Sequence, residues 1–213
     1  MLDFSKYKIL TPTREEIKEW CLKIHYAKRI PNVMYSFGLY CNSSLLCIVT
    51  YGMPASQSLM KSPFGGKYMN LIIELNRIIT QGQLEKNLLS WFIAQTIHFL
   101  PKPMIIISYS DLSMNHYGYI YQALNFYYTG TTKERTDINS SGHQRHYSKT
   151  INYSENRKTR SSKNRYLYLH LDKKTKINLL KELKWEILTY PKGASQRYTI
   201  DYKPIATKNL FNY

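Results

Sequence analysis

Long apolar runs are missing from this 213-residue chain. No window comes near the roughly 18 consecutive apolar residues of a membrane-spanning helix, so no membrane role is expected. The opening "MLDFSKYKIL" lacks the charged and then apolar pattern of a secretory signal. Cysteine is scarce, and Cys21, Cys41 and Cys47 form an odd set without C-x-x-C spacing. That argues against a disulfide framework or a structural zinc site, and it fits a reducing cytoplasm. Acidic residues are few, 14 against 30 Lys and Arg. The sequence also has no internal repeat, no low-complexity bulk and no helix-turn-helix or similar DNA-reading motif, so any sequence preference on DNA should be modest.

What remains is strongly basic, with a formal net charge of +16. Residues 131–213 hold 18 basic and 7 acidic side chains, so most of the excess is C-terminal. Its densest run is "ENRKTRSSKNR", where Arg157, Lys158, Arg160, Lys163 and Arg165 alternate with Ser, Thr and Asn. Such a run suits a polyphosphate partner, because each neutralised phosphate releases a counterion. The plain alternative is a solvated basic loop. Twenty tyrosines exceed what a core needs and suit base stacking, although many must pack internally.

Thr13 and Glu16 form a capping box ahead of Ile17, Trp20, Cys21 and Ile24, a helical spacing that ends before Pro31. "YSFGLYC" and "LLCIVTY", joined by Asn42-Ser43-Ser44, predict a β-hairpin. "GMPASQSLMKSPFGG" predicts a long polar loop, and "YMNLIIELNRIIT" a strand. Asn87 is placed to cap a helix that Pro101 and Pro103 end. A strand over 104–109, a helix near Gly118–Asn125 and a strand at "FYYTG" follow. "RYLYLHL" predicts a last strand, and Asp172 can cap a helix through Leu183. This order predicts an α+β fold with a mixed central sheet flanked by helices. The expected organisation is a single domain over 1–213 with a basic, flexible insertion at about 131–163.

The stretch "SYSDLSMNHYGYIYQALNFYYTG" opens directly from the apolar run Met104–Ile107, and sites lie at strand ends in sheets of this kind. Within it, "YQALNF" (Tyr121–Phe126) resembles the Y-x-x-x-G-F signature of the GCN5-related N-acetyltransferases, with Asn125 at the glycine position. "HY" at 25–26, "TYGMPAS" at 50–56, "ELNRIIT" at 74–80, "LPKP" with "ISYSD" ending at Asp111, "HYGYIYQALNFYYTG" and "NRYLYL" together resemble the Mom-type phage DNA-modification proteins. Those look like divergent relatives of the acetyltransferases. The resemblance runs from about His25 to about Lys192. It implies an acetyltransferase-like fold and a cytoplasmic enzyme of an infected host cell. That enzyme would convert adenine in double-stranded DNA to an N6-carbamoylmethyl form that resists restriction. One departure stands out: the phosphate loop Q/R-x-x-G-x-G/A is replaced by "TQGQLEKN" with the lone Gly82.

The resemblance also carries residues. Tyr121 takes the place of the tyrosine that protonates a departing thiolate. Asp111 is the acceptor for the adenine amine, where the plain alternative is a helix N-cap. His25 becomes an acid/base or an iron ligand, and Tyr26 a hydrogen-bonding or stacking group; the alternative is an ordinary helix-end pair. Iron would need a third ligand beside His25 and Asp111; His116 is at hand, and no metal site is assigned. Acyl-CoA is the expected donor. Arg77, Lys86, Asn87 and Ser90 are its candidate contacts, the last three at a helix N-terminus. An exposed strand arginine and a helix-packing serine are the alternatives for Arg77 and Ser90. Tyr51 is placed on the rim to stack on an extruded base. A homodimer is the assembly to test. Competing readings are an acyl-CoA-dependent N-acetyltransferase acting on a small amine or a protein, and a basic binding module without chemistry.

Overall fold

The computed structural model describes residues 3–138 and 157–193. Strands β1 (Tyr7–Leu10), β2 (Tyr35–Cys41), β3 (Ser44–Gly52), β4 (Ile72–Thr80), β5 (Met104–Asp111), β6 (Tyr127–Thr131) and β9 (Lys163–His170) form one sheet in the order β1-β2-β3-β4-β5-β9-β6. All neighbours pair antiparallel except β4 and β5, which run parallel. β7 (Arg135–Ile138) and β8 (Arg157–Arg160) make a separate antiparallel ribbon. The expected insertion therefore begins and ends in paired strands, and its middle, residues 139–156, lies outside the described residues. No described helix is long and apolar enough to cross a membrane.

The local signals explain most elements. Both arms of the capping box form ahead of α1 (Arg14–Glu19): Glu16 N–H donates to Thr13 Oγ1 at 3.1 Å, and Thr13 N–H to Glu16 Oε2 at 2.7 Å. A π-type turn, Trp20–Ile24, then carries the chain to His25. The hairpin closes on Asn42 and Ser43, both at positive φ, the backbone that a two-residue turn between twisted strands needs. Asp172 caps α5 (Lys173–Glu182) through Thr175 N–H. Two expectations change. Asn87 occupies the cap position of α3 (Leu88–Phe99) in the left-handed conformation, and its side chain makes no cap bond. The predicted polar loop holds α2 (Gln57–Lys61) and sends Met60 and Phe64 into the core. β1 was not among the predicted strands; four residues at a sheet edge leave little periodicity to read.

Both faces of the sheet are covered. On one, α3 and α4 (Tyr119–Ala123) pack Phe92, Ile93, Ile97 and Tyr121 on Val49, Tyr51, Leu75 and Ile106. On the other, α2 and α5 cover Ile72, Ile105, Ile107 and Leu167, while α1 and its π-type turn cover Ile48 and Ile79. β5 is buried on both sides, which is why it reads as a continuous apolar run.

The feature that positions the site is where β4 and β5 part. Their ladder ends at Leu75 paired with Ser108, although β4 runs on to Thr80 and β5 to Asp111. On the other edge of β4, Arg77 pairs with Thr50 and Leu75 with Tyr51, leaving Asn76 as an unpaired extra residue. Such a bulge bends its strand and ends pairing. Asn76 is held there by Thr50 Oγ1 at 2.6 Å and by its own bond to Asn32 O at 2.7 Å.

Candidate active site

Alternation from the parting point sorts side chains by face. Glu74, Tyr109 and Asp111 point to the α1/α2/α5 side, as do Lys163 and Arg165, their partners on β9. Ser108, Ser110 and Tyr121 belong to the α3/α4 side.

Asp111 is 7% exposed and crowded with donors. Ser113 Oγ at 2.7 Å, Ser113 N–H at 3.1 Å and Ser161 Oγ all donate to Oδ1, and Lys163 Nζ sits 2.9 Å from Oδ2. Burial works against its charge, but Lys163 and the serine hydroxyls outweigh burial and hold the carboxyl below the usual value. A carboxylate so occupied is a weak base. Asp111 caps the short 3-10 turn Leu112–Met114 and anchors Lys163, so the plain alternative describes its bonding.

His25 leaves the π-type turn with its N–H on Trp20 O at 2.9 Å. Its Nδ1 accepts from Ala27 N–H at 3.0 Å, so in the neutral ring the proton sits on Nε2. Burial, with Arg77, His116, Lys163 and Lys28 nearby, lowers its pKa to about 3. His25 is thus a neutral hydrogen-bond donor at neutral pH, and its basic nitrogen is already in use. Tyr26 stacks on it at 4.4 Å and meets His116 edge-on at 6.0 Å. Burial lowers His116 to about 4.

Glu74 was not singled out from the sequence, yet it sits beside the parting point. Burial raises its pKa above the usual carboxylate value, opposed by Arg77, Lys163 and Arg29 and by a hydrogen bond from Ala55 N–H. That makes it the more basic carboxylate of the two. A signal existed: Glu74 is an acid set among Ile72, Ile73 and Leu75 in the apolar first half of its strand. Arg77 lies on the same side, half-buried, with Nη1 on Asn76 O and Nη2 on Arg29 O at 3.2 Å, and its buried Nε has no partner among the described residues. Tyr109, also passed over, carries a buried hydroxyl with no partner among the described residues.

Across the parting point stands Tyr121. Burial pushes its pKa to about 12, against a hydrogen bond with Ser108, whose hydroxyl donates to Leu75 O at 2.8 Å. Full proton transfer to an ordinary thiolate of pKa near 8.5 would be uphill by about 5 kcal/mol, so the Tyr121 phenol is better suited to donating a hydrogen bond than to giving up its proton. Asn125 has φ 58°, the left-handed turn that glycine would otherwise supply.

Other expected contacts fall elsewhere. Tyr51 is fully buried and bonds Thr96 Oγ1 at 2.6 Å, fastening β3 to α3, so it is not on a rim and cannot stack on a base. Lys163 faces inward to Asp111. Arg165 is spent on Thr129 and lies flat over Trp185 at 3.7 Å, so neither cation is a free phosphate contact. Arg160 is half-buried at the end of β8. The side chains of Arg157 and Lys158 lie outside what is described. Lys86 is exposed, Ser90 Oγ returns to Asn87 O at 3.0 Å, and these three of the four expected donor contacts follow the end of β4 at the N-terminus of α3. Among the described residues no three His, Cys, Asp or Glu side chains converge as a metal-ligand set. With the Asp111 oxygens taken by serines and Lys163, the residues do not fit the iron weighed for His25 and Asp111 without being assigned.

The family model described as the Mom protein family matches residues 6–192. No curated protein matches the chain. Among solved structures, an N-acetyltransferase from Staphylococcus aureus Mu50 is similar at 14% identity and TM-score 0.46, covering 77% of this chain and 98% of its own. The ribosomal-protein-S18-alanine N-acetyltransferase from Escherichia coli is similar at 10% identity and TM-score 0.46, over 78% and 95%. A Bacillus subtilis acetyltransferase in complex with CoA shows 14% identity and TM-score 0.43, over 77% and 97%. The activities and ligands named are those proteins' own.

Proposed function

The chain belongs to the Mom protein family, and on that premise we propose that it modifies the exocyclic amine of adenine in double-stranded DNA. The product is the N6-carbamoylmethyl base, and its consequence is protection from restriction. The observation that carries this reading is the parting of β4 from β5, with a basic carboxylate, Glu74, on one side and a protonated phenol, Tyr121, on the other.

The N6 amine is a poor nucleophile because its lone pair is delocalised into the ring, so it must lose a proton as it attacks. The base must also leave the stack, at a cost of a few kcal/mol, and enter a polar, aromatic pocket. His25, Tyr26 and His116 supply such a wall. In the step these residues serve, N6 bonds to the electrophilic carbon of the donor, which is the methylene carbon in the carbamoylmethyl product. The bond from that carbon to its leaving group breaks. The N6 proton passes to Glu74, and the leaving atom accepts the hydrogen bond of Tyr121. His25 Nε2–H and Arg77 Nε–H are donors for charge that builds on the donor group.

We assign the donor to the α3/α4 side and its class to a thiol carrier whose transferred group is bonded to sulfur through the methylene carbon. That side is neutral around Ser108, Ser110 and Tyr121, and α3 presents its N-terminus beyond the end of β4, where phosphates are favoured. The bond broken is then the one between that methylene carbon and sulfur, and the thiolate is the leaving group that accepts from Tyr121. Acyl transfer alone leaves an N6-amide, whereas the carbamoylmethyl adduct has a methylene next to N6.

Mass spectrometry of nucleosides from DNA of expressing cells tests the reading. The expected result is a deoxyadenosine species of carbamoylmethyl mass with a methylene-type fragmentation. Glu74→Gln should lower its formation by about 10²–10⁴-fold, the usual worth of a positioned base. Unmodified deoxyadenosine beside abundant folded protein would remove the reading in favour of an acetyltransferase of another amine or a binding protein.

A further inference from the structure

Tyr109 raises a question that packing does not answer. Its strand neighbours on the same face, Ile105 and Ile107, are apolar, and the ring of Tyr109 packs against the same core. A phenylalanine would fill that space. The hydroxyl is instead buried with no partner among the described residues. Arg165, the residue directly opposite on β9, does not take it up, because its guanidinium is bonded to Thr129 and stacked on Trp185. A buried donor left unpaired is unfavourable unless something that binds there completes it.

The other half lies one strand away. Glu74 projects to the same face of the sheet just before the strands part, and a backbone N–H of Ala55 fills only part of the capacity of its carboxylate. The Glu74 carboxylate lies near enough for its charge to bear on the Tyr109 phenol, yet the two are not hydrogen-bonded to each other. Burial also keeps the Tyr109 phenol protonated, which leaves it a donor.

We infer that Glu74 and Tyr109 together read the amino edge of the extruded adenine, Glu74 accepting from N6–H and Tyr109 donating to the ring nitrogen beside it. This rests on the adenine reading above. Adenine places its amine between two acceptors, N1 and N7, so an acceptor–donor pair matches either edge. Guanine and thymine put a carbonyl oxygen where the amine would be, and that oxygen would face the carboxylate. Cytosine offers the same amine and acceptor order, so the pair rejects keto bases, and ring size must separate adenine from cytosine.

The test uses the full chain and duplex oligonucleotides carrying adenine, 1-deazaadenine or 7-deazaadenine at one position, with single-turnover modification read by mass spectrometry. Tyr109→Phe should slow modification of adenine about tenfold, as expected for one buried hydrogen bond. Wild-type protein should lose a similar factor on one of the two analogues, and Tyr109→Phe should lose nothing further on that analogue. Its melting temperature should equal or exceed that of wild type, because an unpaired hydroxyl has gone. Full activity of Tyr109→Phe on adenine, or losses that multiply on both analogues, would overturn the pairing. Wild-type protein that modifies no adenine at all would instead remove the reading beneath it, and the inference with it.

Discussion

The two faces of the sheet use the same strands for different chemistry. On the α3/α4 side the residues around the parting point are hydroxyls: Ser108, Ser110 and Tyr121. On the α1/α2/α5 side the same stretch of β4 and β5 presents Glu74, Arg77, Tyr109 and Asp111, with His25, His116 and Lys163 around them. One side is neutral and the other charged and aromatic, and on the function proposed above the first would take the arm of a carrier and the second a base with its phosphates. The two environments adjoin just beyond Leu75 and Ser108, where the strands part.

The sharpest way to break this contrast is acid. Both histidines belong to the charged face and have lowered pKa values, about 3 for His25 and about 4 for His116. A depressed histidine stabilises the fold while it is neutral, so that stability is present above the unfolded pKa near 6.5 and is lost as pH falls toward the folded values. The loss should be several kcal/mol, on the order of 5 for His25 alone once fully titrated. Melts from pH 7 to pH 4 should show a steep fall that His25→Gln with His116→Gln flattens. A flat melting temperature over that range would mean the charged face is wetter than its geometry implies.

Asp111 sharpens the contrast next. Asp111→Ala removes the partner of Lys163 and the acceptor of Ser113 and Ser161, and it should cost roughly 2–3 kcal/mol, the worth of hydrogen bonds to a buried charge. Activity should fall with stability, and lowering the temperature should recover part of it. If activity vanished in a protein whose melt was unchanged, Asp111 would be the base and Glu74 its support. The smallest effect belongs to the other face. Tyr51→Phe removes one buried bond to Thr96 and should cost about 1 kcal/mol in a denaturant melt while leaving DNA affinity unchanged.

Parts of the site were open to reading from the chain. Tyr121 and Asn125 carry a local turn signature whose backbone demand, positive φ at Asn125, is met by the residue itself. Asp111 follows a buried strand, and His25 follows a capped helix, both local facts. Glu74 and Tyr109 were harder, because a charged or phenolic residue inside a strand means one thing facing solvent and another facing a gap. Tyr51 misled for the same reason: a tyrosine beside a polar loop looks exposed until α3 is laid over it.

Local chemistry within a few residues was enough for the capped α1 and α5, the Asn42-Ser43 turn and the apolar run of β5, because caps, turns and alternation are satisfied by near neighbours. Assembly alone decided the rest. Asp111 finds Ser161 and Lys163 about fifty residues on, and Glu74 shares its face with Arg77, three positions along β4, only because Asn76 is an extra residue between them. A strand turns every side chain over with each residue of register, so the face a residue serves is set by the partner strand it pairs with.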